Sequence, residues 1–183
     1  MKLAFILDVE TTSLIENHTV KLDRQPHIIE FFGQLVDLET GETTNELDIL
    51  IKPPISIPEE IVKITGITDA MVEDHYAFDH FKDEIQSRIE SSPSEHNQCI
   101  IAHNAAFDKE ALDIEFERLG IQIKWPKVIC TVEQTIHVKG FRLNLSGLHE
   151  LLFGEPFAGA HRAKADVAAL TRCCVEIYHR GWL

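Results

Sequence analysis

The chain opens with an unbroken apolar run that becomes an alternating pattern at residue 8. Residues 3–7 are all apolar, which is typical of a strand buried on both faces of a sheet. Asp8 and Glu10 follow, separated only by Val9. Because side chains alternate along a strand, residues two apart project from the same face. We therefore expect two carboxylates side by side where a core strand ends, unless that end frays into solvent and both acids are hydrated.

The rest of the hydrophobic pattern predicts a mixed-sheet α/β domain. A polar loop at 13–25 leads to two strands, 28–37 and 43–51, joined by a hairpin connection, so that the chain begins with three largely antiparallel strands. Helices and short strands then alternate. We expect short helices at 58–66 and from 68, longer helices at 78–91, 104–120, 131–137, 146–153 and 162–178, a break at 92–94, and strands at 99–103 and 128–130. With no repeat and no linker, residues 1–183 are predicted to form a single domain.

Composition is that of an ordinary globular protein. No apolar stretch approaches the length of a membrane span, and 26% of the 183 residues are charged. The net charge of −13 argues against a protein that coats nucleic acid nonspecifically, but not against one that holds a nucleic-acid end locally through metal ions. The four cysteines lack C-x-x-C spacing, which disfavours a zinc site and is compatible with reduced thiols in a cytoplasm, the predicted location.

Charge is distributed unevenly along the chain. The window 121–165 has only three acidic residues but six basic ones, which are Lys124, Lys127, Lys139, Arg142, Arg162 and Lys164. A mildly basic zone in an acidic protein could receive phosphates. The same six cations could equally be scattered over a solvated face.

Three further residues could join the first two carboxylates. Asp108 lies in the first turns of the helix that follows the strand at 99–103, where an acid also complements the helix dipole. His161 and Asp166 are five residues apart, which is about 140° beyond one full helical turn, so they cannot share a helix face. A glycine at 159 suggests that His161 is still in a loop while Asp166 is on the helix. The two side chains could then converge, although each also has an ordinary reading as a surface histidine or a helix-start acid.

Taken together, these motifs resemble one enzyme family. D-x-E on the first strand, H-N-x-x-F-D at a strand-to-helix turn and H-x-x-x-x-D opening the last helix match, in order and spacing, the DEDDh family of 3′–5′ exonucleases. The chain looks similar to the proofreading subunit of bacterial DNA polymerase III and to ribonuclease T, and residues 63–68 also resemble the family. The resemblance implies a ribonuclease-H-like fold, with a mixed five-stranded sheet, its three antiparallel strands first, flanked by helices.

The resemblance also implies a metal-dependent mechanism. Four acids would hold two Mg²⁺ or Mn²⁺ ions for two-metal-ion hydrolysis, and these acids are Asp8, Glu10, Asp108 and Asp166. Four carboxylates about 4 Å apart would repel each other by about 4 kcal/mol per pair at an effective dielectric near 20, so cations are needed to keep them ionised and ordered. His161 would be the general base that takes a proton from the attacking water.

The substrate implied by the resemblance is the 3′ end of a nucleic acid, single-stranded or frayed. Residues expected to contact the terminal nucleotide are Thr11, Thr12, Ile67, Asn104 and Phe107, with Ile67 and Phe107 on either side of the base. Both apolar residues could instead be core, and Asn104 could simply cap its helix. His103 is expected to be structural. The protein could work alone or dock on a larger replication or repair partner.

Several functions remain open at this point. The leading one is removal of nucleoside monophosphates from the 3′ end of DNA. The nearest alternative is a 3′–5′ exoribonuclease of the same family, because the sequence does not reveal how the pocket treats the 2′-OH. Two others are a catalytically idle nucleic-acid-binding module and a metal-dependent phosphohydrolase that acts on small nucleotides.

Overall fold

A five-stranded mixed sheet forms the centre of the molecule. The computed structural model describes residues 3–17, 19–90 and 99–183. The strands lie in the order β3-β2-β1-β4-β5, and their bounds are β1 Leu3–Thr11, β2 Ile28–Asp37, β3 Thr43–Leu50, β4 Cys99–Ala102 and β5 Val128–Cys130. The pairs β1–β2 and β2–β3 are antiparallel, whereas β1–β4 and β4–β5 are parallel. The predicted sheet, with three antiparallel strands first, is confirmed.

The helices surround this sheet, close to their predicted positions. The predicted break at 92–94 and the last predicted residue of the helix before it lie outside the described residues. One short 3-10 helix, Leu22–Arg24, interrupts the segment that was expected to be all loop. The α-helices are α1 Glu59–Thr65, α2 Asp69–Val72, α3 Phe78–Glu90, α4 Ala105–Arg118, α5 Thr131–Lys139, α6 Leu145–Phe153 and α7 Ala163–His179.

Strand β1 is buried on both faces, as its apolar run predicts. Phe5 and Leu7 pack with α3 and α4 in one hydrophobic cluster. Ala4 and Ile6 pack with α7 in another, on the opposite face. Because side chains alternate along the strand, the next even-numbered residue, Asp8, continues the row that faces α7. The same alternation that builds two cores therefore aims carboxylates toward the start of the last helix.

A third, smaller cluster lies beside the sheet and contains Ile67. Its buried members are Ile29, Ile57, Ile67 and Val72. The chain reaches this cluster through the C-terminal end of α1, where Gly66 adopts a left-handed conformation with φ of 73°. None of the described helices is both long and apolar enough to cross a membrane.

Candidate active site

Three of the predicted carboxylates meet at the end of β1. Oxygen atoms of Asp8, Glu10 and Asp166 all lie within 4.8 Å of one another. They line an open cleft of about 380 Å³ between β1, the starts of α4 and α6, and the loop before α7. The residues that line this cleft are Asp8, Val9, Glu10, Leu14, His103, Asn104, Phe107, Asp108, Leu145, His161 and Asp166. Residues from distant parts of the chain thus form one acidic pocket.

Asp108 approaches the pocket from the first turn of α4. Its side chain is buried, and its Oδ1 accepts a hydrogen bond from the backbone N–H of Val9 at 3.1 Å. This bond crosses from helix to strand and fixes the carboxylate beside Asp8. A favourable interaction with the dipole of α4 therefore does not by itself explain where the Asp108 side chain lies.

The four carboxylates repel one another strongly. Burial, and then the charges of Asp108, Glu10 and Asp166, raise the pKa of Asp8 well above its usual range. Burial followed by the charge of Asp166 raises the pKa of Glu10 to about 8. Burial also raises the pKa of Asp108 to about 7, against the hydrogen bond from Val9. Acids held this close retain protons near neutral pH unless cations are present.

This donor set fits hard divalent cations. Carboxylate oxygens are the ligands that Mg²⁺ and Mn²⁺ prefer, and a positive ion would remove the repulsion that raises these pKa values. The described residues thus contain an acidic cluster compatible with metal binding.

His161 and Asp166 reach the cleft from different elements, as their spacing predicts. His161 lies in the loop, is exposed, and has a left-handed backbone with φ of 68°. Asp166 lies in the first turn of α7, and its Oδ2 accepts a hydrogen bond from the His161 backbone N–H at 2.8 Å. Burial raises the pKa of Asp166, although this hydrogen bond and the imidazole oppose the shift. The aspartate therefore also holds the turn that presents the histidine.

The Asn104 side chain does not cap α4, which was the alternative to a substrate contact. The residue occupies the N-cap position of α4 but makes no capping hydrogen bond, because its backbone is left-handed with φ of 67°. Its Oδ1 instead accepts a hydrogen bond from the guanidinium of Arg142 at 3.1 Å. The Asn104 side chain thus links the cleft to the loop between α5 and α6.

His103 lines the cleft in a structural arrangement. Its Nδ1 lies 2.9 Å from the Thr131 hydroxyl and its Nε2 lies 3.1 Å from the Leu143 carbonyl oxygen. Burial lowers its pKa to about 4. Both ring nitrogens are therefore occupied in holding two neighbouring elements together.

The predicted nucleotide-contacting residues divide into two groups. Phe107 is half-buried and lines the cleft, as Asn104 does. Thr11 and Thr12 are buried. The Thr11 hydroxyl donates to the Ser13 carbonyl oxygen at 2.7 Å, and the Thr12 hydroxyl accepts from the His27 backbone N–H at 2.9 Å. Both threonines therefore secure the turn after β1. These two threonines are absent from the cleft lining.

Ile67 does not reach the cleft. Its side chain is fully buried in the third cluster against Ile29 and Val72, so it offers no surface to a substrate. We therefore remove Ile67 from the proposed site. The physical reason is that the turn after α1 directs this side chain into the core.

Sequence reasoning missed two features of the site. Leu14 lines the cleft with 79% of its surface exposed, and its only signal in the sequence is an apolar residue within a polar loop. Glu30 is buried beside the cluster and is paired with Arg162 at 2.7 Å. An acid within the otherwise apolar run 28–32 was the available signal for it.

Comparison with known protein families matches residues 5–173 to the RNase_T family, described as exonuclease. The chain belongs to this exonuclease family. The match extends over most of the chain and includes every residue of the acidic cluster. The prediction of an exonuclease domain is confirmed.

Individual relatives agree with the family assignment. The chain is 29% identical over 180 residues to the 3′-5′ exonuclease DinG of Bacillus subtilis (strain 168), and 28% identical over 133 residues to the DNA polymerase III subunit epsilon of Pasteurella multocida (strain Pm70). These alignments cover 96% and 73% of this chain, but 17% and 49% of the two relatives. The chain therefore spans less than half the length of either one.

Solved structures show the same fold. The nuclease domain of 3′hExo, a DEDDh family member bound to rAMP, superposes with a TM-score of 0.81 at 18% identity, covering 98% of this chain and 93% of that one. Exonuclease X in complex with 5′ overhanging duplex DNA superposes with a TM-score of 0.67 at 24% identity, covering 98% and 94%. The ribonuclease-H-like architecture is thus shared with known nucleases.

Proposed function

We propose that the protein is a metal-dependent 3′–5′ exonuclease that removes nucleoside monophosphates from the 3′ end of DNA. The observation that carries this proposal is the cleft in which four mutually repelling carboxylates lie beside an exposed histidine. Membership of the exonuclease family supports the reaction type. Residues 1–183 would act as one exonuclease domain.

Two Mg²⁺ or Mn²⁺ ions are the proposed cofactors. Asp8, Glu10 and Asp166 would hold one ion, and Asp8 together with Asp108 would serve the second. Bound cations would stabilise the negative charge of the scissile phosphate and make water a better nucleophile. The raised pKa values of Glu10 and Asp108 support this assignment, because they reflect burial and then the repulsion between ionised carboxylates in this pocket. Two doubly charged cations would formally balance four ionised carboxylates.

His161 is the proposed general base. Its imidazole is exposed at the cleft, and its backbone is held by Asp166, so it can take a proton from a water that lies between the carboxylates and the substrate. An imidazole suits this role near neutral pH. His103 is the other histidine that lines the cleft, and its hydrogen bonds make it unsuitable as a base.

The cleft has room for the terminal nucleotide. Its volume of about 380 Å³ lies within the usual range for small-ligand pockets. Leu14 and Phe107 supply apolar surface against which a base could stack without regard to its identity. Thr11 and Thr12 would act by shaping the turn that leads to Leu14, and Asn104 remains a candidate contact for the sugar-phosphate backbone.

DNA is the favoured substrate because of the relatives. The DNA polymerase III epsilon subunit supports DNA, and Exonuclease X was solved with a DNA duplex. RNA is the second candidate, because 3′hExo was solved with rAMP and a related 3′-exonuclease recognises a histone mRNA stem-loop. The DNA polymerase III subunit among the relatives supports docking on a larger replication or repair partner.

The test is degradation of matched 5′-labelled single-stranded DNA and RNA in the presence of Mg²⁺. We expect stepwise shortening from the 3′ end, faster on DNA, with release of nucleoside monophosphates. Asp8→Ala and His161→Ala should each slow the reaction by at least about 10²-fold, and excess chelator should stop it. The matched controls are Asp23→Ala for Asp8→Ala and His75→Ala for His161→Ala. Asp23 and His75 are exposed, and both control variants should retain parental rates.

Other outcomes would identify the alternatives. Faster shortening of RNA would make the protein an exoribonuclease. Hydrolysis of a dinucleotide without shortening of any polymer would indicate a small-nucleotide phosphohydrolase. Tight binding of DNA with no hydrolysis, and no uptake of Mn²⁺ by calorimetry, would indicate an idle binding module.

A further inference from the structure

Glu30 is a buried carboxylate next to the acidic cluster that the proposed mechanism does not use. It lies on β2 directly opposite Glu10 on β1, and only 1% of its surface is exposed. Its Oε1 accepts from Arg162 Nη2 at 2.7 Å and from Arg162 Nε at 3.1 Å. Its Oε2 accepts from the backbone N–H of Ala163 at 2.8 Å. Both oxygens are therefore engaged, which argues against Glu30 as a metal ligand.

These hydrogen bonds attach the start of α7 to the central sheet. Helix α7 begins at Ala163, and Arg162 at its N-cap position makes no capping hydrogen bond with its own side chain. Glu30 supplies the missing acceptor from a strand 133 residues away in sequence. The attached residues lie between His161 and Asp166. Glu30 thus fixes the segment that presents the proposed base and one proposed metal ligand.

The pair also bears on the charge next to the cluster. Glu30 lies opposite Glu10 in the register of β1 and β2, and the guanidinium of Arg162 lies 2.7 Å from the Glu30 carboxylate. With both partners ionised, the pair adds no net charge to the four carboxylates. Loss of either partner would leave an unbalanced charge within the reach of the cluster.

We propose that Glu30 and Arg162 form a positioning pair that aligns His161 and Asp166 with the carboxylates of β1 and keeps the pocket's net charge matched to its cations. This inference rests on the proposed function and concerns how the same site is assembled. Neither residue is assigned a contact with the reacting atoms. An ion pair between a buried carboxylate and a half-exposed guanidinium gives little net stability, so the value of this pair lies in geometry and charge balance.

The experiment compares Glu30→Gln, Arg162→Gln and the double variant. Each single variant should lower kcat by about 10–100-fold with little change in KM, as is typical when a residue that orients metal ligands is lost. The double variant should be clearly less impaired than the product of the two single effects, because it buries no unpaired charge. Effects that simply multiply would overturn the proposal.

Equilibrium binding of Mn²⁺, measured by calorimetry without substrate, separates this role from general loosening. Glu30→Gln leaves an unpaired cation and should weaken Mn²⁺ binding about tenfold. Arg162→Gln leaves an extra anion and should keep or tighten Mn²⁺ binding while kcat still falls. Equal weakening in both variants would indicate simple structural damage and refute the charge-balancing role.

Lys164→Gln is the matched control. Lys164 lies in the same first turn of α7 and forms exposed ion pairs with Glu46 and Asp48 on β3, which contribute little. Its kcat and Mn²⁺ affinity should remain within about twofold of the parent. If the parent protein proves inactive on every polymer, the proposed function fails, while the Mn²⁺ measurements still test the pair. An active parent with unaffected Glu30 and Arg162 variants overturns only the present inference.

Discussion

Within residues 3–17, 19–90 and 99–183, two buried glutamates form ion pairs with arginines, and the two pairs differ in their neighbours. Glu115 and Arg118 lie three residues apart on α4, and their side chains are 3.0 Å apart. Glu30 and Arg162 come from β2 and the loop before α7, and meet at 2.7 Å beside the acidic cluster. Only the second pair joins parts of the candidate active site. We therefore expect the first pair to serve local stability and the second to serve the geometry of the site.

The Glu115 pair secures a loop. Arg118 donates to the carbonyl oxygens of Leu22 and Gln25, while Glu115 accepts from the backbone N–H of Ile28. These bonds hold the segment that enters β2 against α4. Although burial raises the pKa of Glu115, the hydrogen bond with His27 and the charge of Arg118 lower it below its usual value. This region contains a stabilised anion, whereas the cluster near Glu30 contains destabilised ones.

The largest effect on activity should follow a change in Asp166, the acid that links the carboxylate cluster to the loop of His161. Asp166→Asn removes a charge from the proposed metal site and weakens the acceptor for His161 N. We expect kcat to fall on the order of 10³-fold, while the folded state is retained. Steady-state kinetics with circular dichroism checks this. Activity within tenfold of the parent would remove Asp166 from the proposed catalytic set.

A change in the Glu115–Arg118 pair should lower stability and leave the activity of the folded protein nearly unchanged. Glu115→Gln leaves Arg118 buried without its carboxylate, so the free energy of unfolding should fall by about 2–4 kcal/mol. Below the unfolding temperature, kcat should stay within about twofold of the parent. Denaturant unfolding and kinetics on the same preparation test both statements. A large loss of kcat in the folded variant would erase the distinction between the two pairs.

The two regions should also depend on pH with opposite signs. The folded pKa values of Glu10 and Asp108, about 8 and about 7, lie above their ordinary values of 4.5 and 3.8. Their contribution to stability is therefore present in acid and lost as pH rises toward 8. The lowered pKa of Glu115 means that its contribution is present above about pH 4.5 and is lost as pH falls through the folded pKa.

Thermal unfolding of the metal-free protein measures the trend due to the carboxylate cluster. From pH 6 to pH 9 we expect the Tm to fall by roughly 5 °C, and Glu10→Gln should reduce that fall. Saturating Mg²⁺ should abolish or reverse it, because the cation replaces the protons. Chelator should restore the original trend. A metal-free Tm that does not change across this range would contradict the repulsion among the carboxylates.

The smallest effect concerns a third arginine. Arg142 has no carboxylate partner within residues 3–17, 19–90 and 99–183, and its one recorded side-chain hydrogen bond goes to neutral Asn104 at the cleft. This exposed cation is suited to a substrate phosphate. Arg142→Ala should raise KM by about three- to tenfold with kcat unchanged, and the effect should shrink at high salt. Lys139→Ala, a change of a neighbouring exposed cation at the end of α5, should alter KM less.

What the sequence determined was local and periodic. The apolar run before Asp8 predicted a doubly buried strand, and alternation placed Glu10 on the same side as Asp8. The spacing of His161 and Asp166 correctly predicted one residue in a loop and the other on a helix. These inferences succeed because backbone geometry alone relates residues that are close in sequence.

Only the tertiary structure decided which distant residues share a surface. Ile67 looked as apolar as Leu14, yet packing buried the first in a core and left the second exposed at the cleft. Glu30 and Arg162 are 132 residues apart, and no local period connects them. Their pairing depends on β2 lying beside β1 while α7 packs across both strands, and it is long-range packing, not sequence spacing, that brings such charges together.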